Sequence, residues 1–189
     1  MNRRAVILGL AGVALTAAAA KAQLLNPFTA YWSNIARSAA KNDAATVQKL
    51  LIEGKSPNDT DDDGHSGLHI AAINGNLTIA TLLVKGGAVI DLKDPLGDTP
   101  LFYAADRNQP EIVKLLLDAG AVPDAENRSG VTPLMTAARR GNTEIVRMLL
   151  AKGANPRRAD YTGRDAIGWA EDSRKQSLIQ LLRQQASRR

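Results

Sequence analysis

His65 and His69 are the only histidines in the chain, and they stand four residues apart. On a helix that spacing puts two imidazoles on one face, where they could share a metal ion. No third ligand is evident nearby at metal spacing. Just upstream, Asp59–Gly64 reads DTDDDG. Asp59, Asp61 and Asp63 fall at alternate positions with Gly64 sixth, as a calcium loop opens. The twelfth position is Ile70, where such a loop needs a bidentate Glu, so the stretch reads as a solvated turn. The chain has no cysteine, which excludes disulfides, thiolate metal sites and cysteine nucleophiles. No glycine-rich phosphate loop is present, and neither histidine has a nucleophile arranged beside it. The acidic residues are scattered rather than set as an acid/base pair. The reading is therefore of a non-enzyme, with no catalytic, cofactor-binding or metal-ligating residues.

These residues must be positioned by elements, and Gly130–Asn155 (GVTPLMTAARRGNTEIVRMLLAKGAN) shows which. Thr132 can cap a helix through its hydroxyl. Pro133 suits the first helical position, where its missing N–H costs nothing. Leu134, Ala137 and Ala138 give an apolar edge on which a neighbouring backbone can come close. Gly141 suits a left-handed stop. Asn142 or Thr143 can cap a second helix, whose Ile145, Val146, Leu149 and Leu150 share one face. Gly153 closes it.

One such helix pair cannot bury both flanks, so it must stack on copies of itself. Gly64, Gly97, Gly130 and Gly163 recur every 33 residues. Thr99-Pro100-Leu101 repeats Thr132-Pro133-Leu134. Ala71-Ala72 and Ala104-Ala105 repeat Ala137-Ala138, Leu82-Leu83 and Leu115-Leu116 repeat Leu149-Leu150, and Gly86 and Gly120 lie near the position of Gly153. With this period and lettering, the chain resembles an ankyrin-repeat protein over roughly residues 33–185. The resemblance implies an all-α solenoid of about five helix-turn-helix units with short hairpin turns between them. It also places His69, in Ser66-Gly67-Leu68-His69, at the histidine of the family's Thr-Pro-Leu-His tetrapeptide, where the ring hydrogen-bonds backbone.

The expected boundaries follow. Residues 33–59 form a degenerate first repeat, in which Ala39-Ala40, Leu50-Leu51 and Gly54 fit the second unit at an offset of 32. Repeats at 60–93, 94–126 and 127–159 come next. In the third, Asn108 replaces the mid-unit glycine, and Asn tolerates the left-handed conformation. Residues 160–185 form a C-terminal capping repeat with Trp169 in its inner helix. Its last helix alternates Arg174, Lys175, Gln176, Gln180 and Arg183 with Leu178, Ile179, Leu181 and Leu182. The chain is expected to fray from Gln184, with a tail at 186–189.

Residues 1–22 read as an export signal. Arg3 and Arg4 are followed by the uncharged run Ala5–Ala20 and by Ala20-Lys21-Ala22, with cleavage expected near Ala22. Asn2–Ile7 also resembles a twin-arginine signal, and the ordinary secretory alternative stays open. The expected location is periplasmic or secreted, without a stable membrane span after cleavage. Residues 23–32, with Pro27, Phe28, Tyr31 and Trp32, read as a cover for the first unit, with a docking patch for a partner as the alternative.

The formal net charge is +5, and without the signal's three cations it is +2. Residues 23–127 carry 8 basic and 14 acidic side chains, a net of −6, and residues 128–189 carry 13 and 5, a net of +8. The acidic half and the export signal argue against the nucleic-acid reading that a pI near 9.7 would invite.

In ankyrin proteins the hairpin tips and the exposed side of the inner helices line a concave groove. The resemblance thus implies a partner-binding surface at Asp62, Asp63, His65, Asp98, Asp106, Arg107, Arg128, Arg139, Arg140, Tyr161 and Arg164. Ile73, Asn74, Pro95, Leu96, Val131 and Glu171 fall beside them. The function expected is a noncatalytic protein-binding module, a monomer acting as adaptor or regulator of another cell-envelope protein. The alternative is an immunity-type inhibitor of a secreted toxin, ahead of an enzyme or a nucleic-acid binder.

Overall fold

The structure is a computed structural model and describes residues 34–187. The export signal, the aromatic cover and Ser33 lie outside the described residues. Ten helices follow one another within them, in five pairs. The pairs are α1 (Ile35–Ala40) with α2 (Ala44–Ile52), α3 (Gly67–Asn74) with α4 (Leu77–Lys85), and α5 (Pro100–Asp106) with α6 (Pro110–Asp118). Then come α7 (Pro133–Arg140) with α8 (Thr143–Ala151), and α9 (Ala166–Glu171) with α10 (Gln176–Ser187). No strand occurs among the described residues, only the isolated bridges Thr60–Ser66 and Ala159–Asp165.

Local chemistry sets these boundaries. Ser66, Thr99, Thr132 and Asp165 cap α3, α5, α7 and α9, each side-chain oxygen accepting a backbone N–H three residues on. Pro100, Pro110 and Pro133 occupy first helical positions. Between the two helices of each pair the chain turns through a residue of positive φ: Asn42, Gly75, Asn108, Gly141 and Arg174, at 33-residue spacing. Asn108 thus does what the glycines do. Asn142 stands at the N-cap of α8 without a side-chain cap bond; its amide instead donates to Ala105 O of the preceding unit at 2.9 Å.

Inner helices stack on inner helices from α1 to α9, and outer helices stack from α2 to α8, with α10 lying on α9. Ile35, Leu68, Leu101 and Leu134 form one fully buried column. Ala39, Ala72, Ala105 and Ala138 form another, small enough for the inner helices to approach closely. Leu50, Leu83, Leu116, Leu149 and Leu182 form the outer column. Each fully buried leucine removes an amount of apolar surface from water that contributes about 2 kcal/mol.

The columns correct the register expected for the first unit. Ser38 and Ala39, not Ala39 and Ala40, match Ala71 and Ala72; Ser38 is buried and Ala40 exposed. Leu50 matches Leu83, so the offset is 33 rather than 32. Likewise the half-buried position of Leu82 and Leu115 is filled by Met148, and Leu150 lies one residue beyond the matching pair. The left-handed glycine that follows each outer helix is Gly54, Gly87, Gly120 or Gly153, so Gly87 and not Gly86 holds that place. At the end of the chain α10 continues to Ser187 and buries Ala186, where a frayed tail was expected.

Candidate functional site

One device builds every hairpin tip. Asp61 Oδ1 accepts the N–H groups of Asp63 (3.0 Å) and His65 (2.8 Å). Asp94 Oδ1 does the same for Leu96 and Asp98, Asn127 Oδ1 for Ser129 and Val131, and Asp160 Oδ1 for Thr162 and Arg164. Side chains of this kind replace backbone as turn acceptors. The tips then nest. Arg128 N donates to Leu96 O at 3.0 Å and Tyr161 N to Ser129 O at 3.1 Å. Pro95 stands at the same position as Arg128 and Tyr161 but has no N–H to give.

Asp61, Asp63 and His65 also bring three ligand atoms within 4.8 Å of one another. That grouping follows from the repeat's own turn, since Asp61 Oδ1 is already engaged as its counterparts are. The twelfth position, Ile70, is buried.

The two histidines do different things. His69 is fully buried. Its Nδ1 accepts the Ser66 N–H at 3.1 Å, which leaves Nε2–H to donate to Asp98 O at 3.1 Å in the next unit. Burial holds its pKa below the ordinary imidazole value. His65 is half-buried, with Nε2 3.3 Å from Tyr103 Oη and 3.5 Å from Asp94 Oδ2. Tyr103 spends its own proton on Asp94 Oδ2 at 2.7 Å, so His65 is the donor to the phenol oxygen. Burial opposes ionisation of Asp94, but the bonds from Tyr103 and from the Asp98 and Leu96 N–H groups outweigh it and keep the carboxyl below its usual range. Burial, and then the bond to Asp94, raises Tyr103 above the ordinary phenol value.

Of the residues expected on the partner-binding surface, Asp98 is not available. It is 6 % exposed, accepts Asn127 Nδ2 at 2.9 Å, and burial raises its pKa. Val131 is buried as well. Asp62 is exposed and pairs with Arg37 at 3.0 Å, and Asp63 is exposed beside it. Arg128 is exposed at its tip. Tyr161, 74 % exposed, and Leu96, 64 % exposed, are the prominent apolar groups of the tips.

Five further residues of that surface, Asp106, Arg107, Arg139, Arg140 and Arg164, are brought together. Asp106 Oδ1 accepts from Thr136 Oγ1 (2.8 Å), Arg140 Nε (2.8 Å) and Arg139 Nη2 (3.4 Å), while Oδ2 accepts from Arg140 Nη2 (3.0 Å). Arg107 Nε lies 3.9 Å from the same carboxylate. Although partly buried, Asp106 is held below the usual carboxylate range by these donors, Arg140 first. Arg139 also lies 5.0 Å from the centre of the Trp169 ring, and Arg164 lies 5.3 Å from it. Arg164 donates further to Gly168 O (2.7 Å) and Asp172 (3.1 Å). The ring is fixed by its own N–H, which donates to Asp160 Oδ2 at 2.8 Å.

Trp169 and Tyr103 were not singled out for this surface, although each lies nine residues after a tip acceptor, Asp160 and Asp94 respectively. That shared offset, with a polar-edged ring at its end, is the signal that could have found them.

A family model described as "Ankyrin repeats (3 copies)" matches residues 35–127 and 120–188. The chain belongs to the ankyrin-repeat family. Curated relatives match only part of it. The potassium channel GORK of Arabidopsis thaliana is 40 % identical over 62 residues, 33 % of this chain and 8 % of that protein. An ankyrin repeat-containing protein of Schizosaccharomyces pombe is 40 % identical over 68 residues, 36 % of this chain and 32 % of its own length. The Inhibitor of Apoptosis OPG037 of monkeypox virus is 44 % identical over 62 residues, 32 % of this chain and 14 % of that protein. The chain thus spans less than a third of the length of these relatives. Ankyrin repeats are protein–protein interaction modules and are generally noncatalytic.

Proposed function

We propose that the chain is an exported, noncatalytic protein-binding module, a monomeric adaptor or regulator of another cell-envelope protein. The observation that carries this is the row of tips. Leu96, Arg128 and Tyr161 stand out on successive units without being needed to bury the stack. Aromatic and arginine side chains are favoured as interface anchors. Among the described residues no helix is long and apolar enough to cross a membrane. Export to the periplasm is supported by Arg3, Arg4, the apolar run and Ala20-Lys21-Ala22.

A photo-crosslinking residue at Leu96 or Tyr161 is expected to capture one recurrent envelope protein, while the same group at exposed Thr78 on α4 is not. Equal labelling from all three positions would overturn the reading of this face. Residues 1–30 fused to a reporter that crosses only when folded test the export route; no transport removes the twin-arginine route, and an ordinary secretory reporter then tests the other.

A further inference from the structure

We propose that this face selects an acidic segment of its partner, a stretch carrying carboxylates on either side of an apolar side chain. The inference rests on the protein-binding reading above and names the chemistry of what is bound. Five arginines, Arg107, Arg128, Arg139, Arg140 and Arg164, lie on the tips and inner-helix ends of the third to fifth units. Among the described residues only the carboxylates of Asp106 and Asp172 pair with them there. Asp106 is committed to Arg140 through two short bonds, which leaves Arg139 a long contact of 3.4 Å. Arg139 and Arg164 share the Trp169 ring, itself anchored on Asp160. Each spends Nη2, Arg164 on Gly168 O and Asp172 and Arg139 on its long contact with Asp106, and keeps its other N–H groups while the ring limits its freedom. Carboxylate binding there costs less ordering than at a free side chain. The apolar side chain has Tyr161, exposed on the tip of the fifth unit, to lie on.

The arrangement favours a polypeptide over other anions. The guanidiniums are spread over two unit junctions, at Asp106 and at Trp169, rather than converging on one point as a single phosphate requires. A single nucleic-acid strand would need successive rings for its bases. Tyr161 is the one exposed aromatic among the described residues, and the row of tips runs into Asp62 and Asp63.

The test uses the full chain with Trp32→Phe, which leaves Trp169 as the only indole. The probe is a synthetic peptide alternating Glu with Leu around one central Phe. Binding is expected to change Trp169 emission and to weaken as salt rises. Arg139→Ala with Arg164→Ala is expected to weaken it about tenfold, on the scale of charge-assisted bonds. The control pair Arg147→Ala with Arg183→Ala removes two exposed cations from the outer helices α8 and α10 and is expected to change it little. Should the alanine pair lose helicity, Arg139→Lys with Arg164→Lys keeps the charge and removes the planar fork, and a several-fold loss is still expected.

Equal losses from both alanine pairs, equal binding of a Gln-for-Glu peptide, or no binding up to about 1 mM would overturn the inference. Tighter, Arg139-dependent binding of an oligothymidylate would replace it with a nucleic-acid site. If crosslinking from Leu96 and Tyr161 captures a partner that Arg139 and Arg164 do not affect, the protein-binding reading stands and the acidic segment falls. If no such capture occurs, the reading beneath it falls as well.

Discussion

Asp106 and Arg140 lock the third and fourth units together through a two-point ion pair, Nε to Oδ1 at 2.8 Å and Nη2 to Oδ2 at 3.0 Å. Arg139, the adjacent residue, reaches the same carboxylate only at 3.4 Å and leans on Trp169 instead. Two neighbouring arginines that look equivalent as letters therefore serve stability and surface separately. Arg140→Ala is expected to lower unfolding free energy by about 1 kcal/mol, the upper range for a partly exposed pair. Arg139→Ala is expected to stay within about 0.5 kcal/mol of the parent. Urea unfolding of the two variants reads the difference, and equal costs would show that the pairing geometry does not matter. Reversing both charges at once would mix the two effects and is the wrong probe of partner binding.

His69 makes stability pH-dependent in a defined direction. Its folded pKa lies below the ordinary 6.5 because burial disfavours the cation. Both ring nitrogens are committed in the neutral form, to Ser66 N–H and to Asp98 O. The unfolded chain therefore takes up the proton first. Stability is full above about 6.5 and falls as pH drops through that value toward the folded one. Asp98, raised by burial, works in the opposite sense, and Asp94, held low, loses its contribution only in the acid range. Comparison with His69→Gln isolates the ring. The variant is expected to be less stable at pH 7 by about 1–3 kcal/mol, from unpaired buried groups. It should also lose less on going to pH 5 than the parent does. A parent whose stability rises between pH 7 and 5 would contradict a buried ring held neutral.

How far this was legible from the letters depends on what kind of interaction each feature uses. The fold is carried by glycines, alanines and leucines whose reasons are local or repeat every unit, so Thr132, Pro133, Gly141 and the paired alanines announced it. Registers slipped where two like residues sit side by side. Leu82-Leu83 and Leu149-Leu150 are both leucine pairs, but only burial tells which member points inward. The ends of the stack were harder still, because α10 buries Ala186 against a unit with no successor to reveal the pattern. The surface was legible as a set of positions and not as a set of states. Asp98 occupies a tip position, yet Asn127 of the next unit closes over it. In a contact made across units of different lettering, such as Arg139 on Trp169, only the place of the ring leaves a trace, nine residues after Asp160 as Tyr103 is after Asp94, and the arginine leaves none.

Tyr103→Phe removes one hydroxyl from Asp94 and leaves the ring packing alone. The expected cost at neutral pH is about 1–2 kcal/mol, the range for a hydrogen bond to a charged group. The bond helps to hold Asp94 below its usual range, so its loss raises the folded pKa toward the unfolded value. A depressed carboxylate contributes stability above its unfolded pKa and loses it as pH falls through the folded one. The cost of Tyr103→Phe should therefore shrink as pH drops below about 4, through the variant's folded pKa and toward the parent's lower one, because the unfolded chain titrates alike in both. Denaturation midpoints of parent and variant measured at pH 7, 4 and 2.5 test this, and a constant difference across the series would deny Asp94 its part.

Gly97 and Gly163 occupy the same place in their units with nearly the same backbone, φ +83° and +85°. What differs is what comes next. A Cβ on Gly97 would meet Arg128 N at 2.9 Å and Asn127 Cα at 3.2 Å, backbone of the following tip, whereas a Cβ on Gly163 would meet nothing within 4 Å. Both alanine variants carry the left-handed strain of about 1–2 kcal/mol. Only Gly97→Ala must also push the next hairpin away, stretching the Arg128 N to Leu96 O bond of 3.0 Å. Gly163→Ala is thus expected to show the bare conformational cost and Gly97→Ala distinctly more, with faster amide exchange at Arg128 in the second variant alone. Equal destabilisation, or an unchanged Arg128 amide, would mean that the tips are not nested on one another and that each unit turns independently of its neighbour.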